Sequence, residues 1–135
     1  MLGGQSWAVD VRDAREVVTL EAWTRVPGAP PALLGVMNLR GAVLPVVEAR
    51  PLLGASAPTV TPGTPAVVIA DGSYRAALAV ERVLGLEGYD DVRPAPEGAS
   101  PFVQGALARE DASVSLLDAP RLLASLRAAW ARKDG

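Results

Sequence analysis

Two segments of the chain match one another at a fixed offset of 70 residues, and this repeat restricts the fold more than any other feature. Residues 35–53, GVMNLRGAVLPVVEARPLL, align without a gap on residues 105–123, GALAREDASVSLLDAPRLL. Five aligned positions are identical, and the acid Glu48 lies over the acid Asp118. A unit that recurs after 70 residues has the size of a small β-barrel, not of a solenoid turn.

The spacing of chain-breaking residues predicts an all-β fold. Thirteen glycines and twelve prolines separate short runs rich in valine and alanine, as expected for many short strands joined by turns. Hairpin turns are predicted at residues 40–42, 71–73 and 110–112. One helix is predicted for residues 120–132, where apolar residues recur at helical spacing.

Charge and residue types exclude several functions. Thirteen basic residues against fifteen acidic ones leave a net charge of −2, which argues against nucleic acid as a partner. The chain has no cysteine and no histidine, so thiolate or imidazole catalysis and the usual zinc sites are not expected, and no cofactor is predicted. No apolar run approaches the length of a membrane span, and the composition predicts a soluble, cytoplasmic protein without direct membrane insertion.

The repeat suggests a division of a single domain, residues 1–135, into two subdomains. The division places subdomain 1 at about residues 1–65 and subdomain 2 at about residues 66–135. In the second copy the strand AVVIA, residues 66–70, precedes the hairpin, and its counterpart in the first copy would lie before Met1. Subdomain 1 is therefore predicted to lack its first strand, and the exposed strand edge predicts homo-oligomerisation or capture of a partner strand.

Residues 33–54, LLGVMNLRGAVLPVVEARPLLG, resemble the signature of CheW-like proteins. The signature consists of an Asn-Leu-Arg-Gly turn, a hydrophobic strand that contains proline, and an acid-X-Arg helix start. The resemblance extends upstream to WAVDVRDAREV, residues 7–17, and downstream through AVVIADGSYRAALAVERVLG and the second repeat copy. Nearly the whole chain is covered, and the matching segments keep their order.

The resemblance implies two SH3-like β-barrels, related by the internal repeat, plus a C-terminal helix. It also implies a non-enzymatic scaffold that couples methyl-accepting chemoreceptors to a CheA-type histidine kinase and assembles with other CheW-like proteins. A shortened first barrel would weaken the kinase contact more than the receptor contact. The residues that the resemblance assigns to the receptor groove are Arg40, Val11, Ala14, Ala76 and Leu78, with Glu16, Asn38, Leu39 and Gly41 as further contacts.

Two alternatives remain open at this stage. Arg40 is either a solvated turn residue or a partner contact, and its repeat counterpart Glu110 indicates that the hairpin does not require an arginine. The chain is either the adaptor or an unrelated small-β-barrel enzyme or ligand-binding module that uses Asp and Glu. For the second alternative Glu48 and Asp118 are the candidate acid pair, although both positions also suit an acid at a helix N-terminus.

Overall fold

The computed structural model of this chain describes residues 6–50, 60–83, 85, 92–109 and 112–134. These residues form two β-sheets and one C-terminal helix, which confirms the strand-dominated prediction. The elements are β1 (Trp7–Val9), β2 (Ala14–Leu20), β3 (Leu33–Leu39), β4 (Ala42–Val47), β5 (Thr64–Asp71), β6 (Tyr74–Ala79), β7 (Val92–Arg93), β8 (Val103–Arg109), β9 (Ala112–Leu117) and α1 (Ala119–Asp134).

The five-stranded sheet closes into a small barrel. Its order is β2-β5-β6-β4-β3, and within it only β4 and β6 pair in parallel. Beyond β2, the Thr24 N–H donates to the Val36 carbonyl at 2.8 Å, and the Val36 N–H donates to the Thr24 carbonyl at 2.9 Å. This bridge joins the two edges of the sheet. Fully buried Leu20, Val46 and Val68 belong to the cluster inside it.

The four-stranded sheet, in the order β1-β9-β8-β7, joins the two ends of the chain. β1 pairs in parallel with β9, with Trp7 opposite Ser115 and Val9 opposite Leu117. The predicted boundary near residue 65 therefore does not follow the sheets: β5 and β6 lie with β2, β3 and β4, while β1 lies with β7, β8 and β9. Sheet membership depends on hydrogen bonds between distant strands, which the contiguity of a sequence repeat does not reveal.

The repeat itself appears as matching local geometry in the two sheets. Each hairpin has a register shift at the start of its first strand, next to Gly35 in β3 and next to Gly105 in β8. The Glu48 N–H donates to the carbonyl of Ala32 at 2.8 Å, and the Asp118 N–H donates to the carbonyl of Phe102 at the same distance. Both hydrogen-bonded pairs are related by the sequence offset.

The repeat also relocates the predicted missing strand. β6 pairs in parallel with β4 as β1 pairs in parallel with β9, so β1 and β6 hold equivalent positions. β6 has β5 on its other side, whereas β1 has no second neighbour among the described strands. The position that lacks a counterpart of β5 is thus in the four-stranded sheet. The prediction that subdomain 1, residues 1–65, is the incomplete one is wrong, because the barrel built around β2, β3 and β4 contains β5 and β6.

Helix α1 connects the two sheets. It begins after Asp118, whose Oδ1 accepts a hydrogen bond from the Arg121 N–H at 3.0 Å and satisfies a free amide of the first turn. Its buried face, with Leu122 and Leu123, packs on β5 and β6. These leucines share one core cluster with Ile69 of the barrel and Leu117 of β9. The core between the sheets is therefore built by both halves of the chain.

The glycines at the two register shifts allow a close backbone approach. A Cβ built on Gly35 would overlap the carbonyl oxygen of Thr24, and a Cβ on Gly105 would lie 2.7 Å from the carbonyl oxygen of Arg93. We expect Gly35→Ala and Gly105→Ala each to lower the free energy of unfolding by about 1–3 kcal/mol, because backbone must move to make room. Thr19→Ala, on the exposed face of β2, is the control and should change it by less than about 0.5 kcal/mol. Urea denaturation measures all three.

Candidate functional site

The turn between β3 and β4 has a geometry that its arginine does not favour. Arg40 has a φ of 49° and Gly41 a φ of 87°, so both central residues are left-handed, as in a two-residue type I′ hairpin. Among the described residues Arg40 is the only one other than glycine with a positive φ. For a side chain of this kind the conformation costs about 1–2 kcal/mol. Turn chemistry alone would select asparagine or glycine at this position.

The rest of the motif supports this turn. The Gly41 N–H donates to Asn38 Oδ1 at 2.9 Å, so Asn38 serves the hairpin even though it is exposed. Leu39 is half-buried and packs against the core of the barrel. Three residues of the Asn-Leu-Arg-Gly motif therefore have structural roles. Arg40 is the member whose presence the fold does not explain.

Arg40 is held by Glu16 across the barrel surface. Its Nη2 lies 2.5 Å from Glu16 Oε2, which links the hairpin tip to β2. The hydrogen bond from Arg40 holds the pKa of Glu16 below its ordinary value, and that from Glu16 raises the pKa of Arg40. The side chain of Arg40 is 67% exposed, so the pair adds little to stability. The pair instead fixes where an exposed guanidinium points.

Exposed valines lie next to this ion pair in the sequence. Val17 follows Glu16 directly and is 56% exposed, while Val43, three residues after Arg40, is 67% exposed. Val11, which the resemblance assigned to the groove, is 64% exposed. Sequence reasoning missed Val17 and Val43, although strand alternation places both opposite a buried neighbour. Together with Glu16 and Arg40 these three valines form what we call the valine-arginine surface.

Two predicted groove residues lie in the interior. Ala76 is fully buried and Leu78 is 1% exposed, and both belong to the core beneath α1. Their neighbours on the other face of β6, Ala77 and Ala79, belong to the core of the barrel. β6 is thus covered on both faces, and the assignment of Ala76 and Leu78 to a partner-facing groove is wrong for this structure. Ala14 is half-buried at the start of β2, opposite Ile69.

A groove does exist, lined by other residues. It runs between the outer face of the β3-β4 hairpin and helix α1, and its volume is about 180 Å³. Val36 pairs with Pro45 and Asn38 with Val43 across the two strands, which places Val36, Pro45 and Val43 on one face. We call this cavity the hairpin groove. Its lining residues are Pro30, Leu33, Val36, Val43, Pro45, Val47, Tyr74 and Leu126.

The two acids of the enzymatic alternative have structural roles. Glu48 is 4% exposed and accepts hydrogen bonds from the Arg50 backbone at 2.9 Å and from Arg50 Nε at 2.7 Å. Arg50 Nη1 also reaches Glu81 at 3.5 Å. The hydrogen bond with Glu48 raises the pKa of Arg50. Asp118 caps α1. Neither carboxylate is available to act as half of a catalytic pair in this arrangement.

Comparison with known proteins identifies the family. The model of the CheW-like domain matches residues 1–127. The chain belongs to the CheW-like family. The chemotaxis protein CheW of Rhizobium meliloti (strain 1021) is 33% identical over 123 residues, which is 87% of this chain and 79% of the relative. Protein FrzA of Myxococcus xanthus is 29% identical over 133 residues, 93% of this chain and 83% of the relative.

The CheW-like fold is also found in a solved structure. The crystal structure of the scaffolding protein TtCheW from Thermoanaerobacter tengcongensis matches with a TM-score of 0.78 at 23% identity. The match covers 87% of this CheW-like chain and 84% of TtCheW, and it supports the assignment of the two sheets. Among the described residues, no helix is long and apolar enough to cross a membrane.

The ion pair of the valine-arginine surface can be tested by titration. In Arg40→Ala we expect the pKa of Glu16 to rise toward its ordinary 4.5, because the largest cause of its depression is removed. In the wild type the carboxylate stays ionised to lower pH, and the pairing is lost as pH falls through the depressed pKa. NMR of the Glu16 carboxyl carbon measures the change.

Arg12→Ala is the matched control for that titration. Arg12 holds the pKa of Asp10 at about 2 through its side-chain hydrogen bond. Its removal should raise the pKa of Asp10 toward 3.8 and leave that of Glu16 in place. An unchanged Glu16 titration in Arg40→Ala would contradict the pairing.

Proposed function

We propose that this protein is a non-enzymatic adaptor that couples the cytoplasmic tips of methyl-accepting chemoreceptors to a CheA-type histidine kinase. The observation that carries the proposal is Arg40, which is strained, exposed and held by Glu16 beside exposed valines on a CheW-like fold. A residue that is unfavourable for its own turn and adds little stability has to be explained by something outside the fold.

The physical basis of receptor binding is the docking of an amphipathic helix. Val11, Val17 and Val43 offer apolar area that water now covers, and burial of this area favours association. Arg40 at the rim steers the encounter and sets the register of the helix. Because Glu16 already orients the guanidinium, little side-chain freedom is lost on binding.

The kinase and further CheW-like domains are the other partners of the proposal. Support for them comes from family membership, and the open edge of β1 supplies a surface that an extended partner strand or a second copy could join. The sequence-based reading adds a variant of the same adaptor, in which receptor binding is retained and the kinase contact is weakened. Separate binding measurements distinguish the two forms.

Reversal of the charge at the hairpin tip tests the receptor contact. We expect Arg40→Glu to abolish co-sedimentation with a receptor cytoplasmic fragment, because the substitution places two acids side by side and removes the rim cation. The melting temperature should stay within about 2 °C, since the exposed pair contributes little to stability. Arg25→Glu makes the same change in charge at another exposed position and should bind as the wild type does. Retained binding by Arg40→Glu would exclude this surface as the receptor site.

The kinase contact is tested with the CheA regulatory domain alone. If the protein couples receptor to kinase, we expect it to capture this domain in a pull-down, and Arg40→Glu should not reduce the capture, because the receptor surface is separate. Capture of the receptor fragment without the regulatory domain would support the form with a weakened kinase contact. Capture of neither would contradict the adaptor function.

A further inference from the structure

We propose that the hairpin groove seats one large apolar side chain of the docked receptor helix, and that Arg127, held over Tyr74 at the far end of the groove, pairs with an acidic residue of the same helix. This inference rests on the proposed function and extends its binding site to helix α1. It assigns specificity to three residues that the sequence reading left out, namely Tyr74, Leu126 and Arg127.

The size and lining of the hairpin groove suit a side chain. Its volume of about 180 Å³ is below the range of roughly 300–1,000 Å³ typical of small-molecule and cofactor sites. It is close to the engineered cavity of about 150 Å³ that accepts a benzene ring. Apart from the Tyr74 hydroxyl, the lining side chains are aliphatic or proline. An aromatic or branched aliphatic side chain would fill such a space.

The groove is continuous with the valine-arginine surface. Val43 belongs to both, since it is exposed beside Arg40 and also lines the groove. From this point the groove follows β4 to Val47, where Tyr74 and Leu126 complete its wall. A six-residue strand spans about 20 Å, which corresponds to about 13 residues of an α-helix. One receptor helix is therefore long enough to meet Arg40 and the α1 end of the groove together.

A cation marks the α1 end of the groove. The guanidinium carbon of Arg127 lies 4.9 Å from the centroid of the Tyr74 ring, a cation-π distance, and Arg127 is exposed. No described carboxylate forms an ion pair with Arg127, although the chain as a whole carries a net charge of −2. Burial raises the pKa of Tyr74, so the ring under Arg127 stays neutral. The guanidinium keeps donors for an acid on the helix that covers the groove.

Two variants of the full-length chain test the two halves of the inference. Arg127→Glu should weaken binding of a receptor cytoplasmic fragment about tenfold at low salt, and less at high salt, because it opposes a rim charge. Val36→Phe should weaken binding by a similar factor, because the added ring occupies the groove, and its melting temperature should not fall. Arg25→Glu is the control for charge. Fluorescence anisotropy at two ionic strengths measures binding.

A charge-reversal scan of the receptor helix then identifies the acid. Lysine is placed at each Asp and Glu of the fragment in turn, and one such change should restore binding by Arg127→Glu. Failure of every reversal to restore binding would overturn the acidic pairing. This second step separates a specific contact from a general loss of positive charge.

The outcomes distinguish this inference from the proposed function. If the wild type does not bind the receptor fragment, the proposed function fails and the inference with it. If Arg40→Glu loses binding while Arg127→Glu and Val36→Phe bind as the wild type does, the adaptor stands and the inference is overturned. A wild-type dimer in sedimentation that Val36→Phe dissociates would show a second copy in the groove, and would also overturn it.

Discussion

The parallel pairing of β1 with β9 is the constraint on which the rest of the architecture depends. It ties residues 7–9 to residues 115–117, so the four-stranded sheet cannot form from one contiguous part of the chain. β5 and β6 enter the other sheet, and α1 returns from β9 to pack on them. Each sheet therefore needs strands that lie far apart in the sequence. We infer one cooperative unit, in which the barrel and the four-stranded sheet stabilise one another through the core beneath α1.

Two Arg-Glu pairs in this chain show how burial decides what an ion pair does. Arg50 and Glu48 are 3% and 4% exposed, and their hydrogen bonds satisfy charges that would otherwise be costly to bury. Arg40 and Glu16 lie at the surface, where water screens the attraction and stability gains little. The buried pair is thus part of the fold. The exposed pair leaves a guanidinium oriented toward solvent, where a partner can use it.

The sequence predicted local structure well and long-range pairing poorly. The repeat located both hairpins, the glycines at the register shifts and the acid that caps α1, because each depends on residues close together in the chain. The hairpin tip at residues 110–111 lies outside the described residues. Sheet membership was mispredicted, because β4 and β6 are adjacent only after a long connection. Ala76 and Leu78 were misassigned because β6 is covered on both faces, and alternation cannot tell a core face from a surface face in such a strand.

The strain at Arg40 makes a local argument for function that does not depend on family membership. A left-handed arginine costs about 1–2 kcal/mol, and the exposed pair with Glu16 returns no more than about 1 kcal/mol. Asparagine or glycine would relieve the strain and keep the hairpin. Because position 40 carries neither, the difference has to be recovered in a state that this chain does not reach alone. A bound complex in which the oriented guanidinium meets a partner is such a state, and the exposed Val17 and Val43 beside the pair are consistent with it.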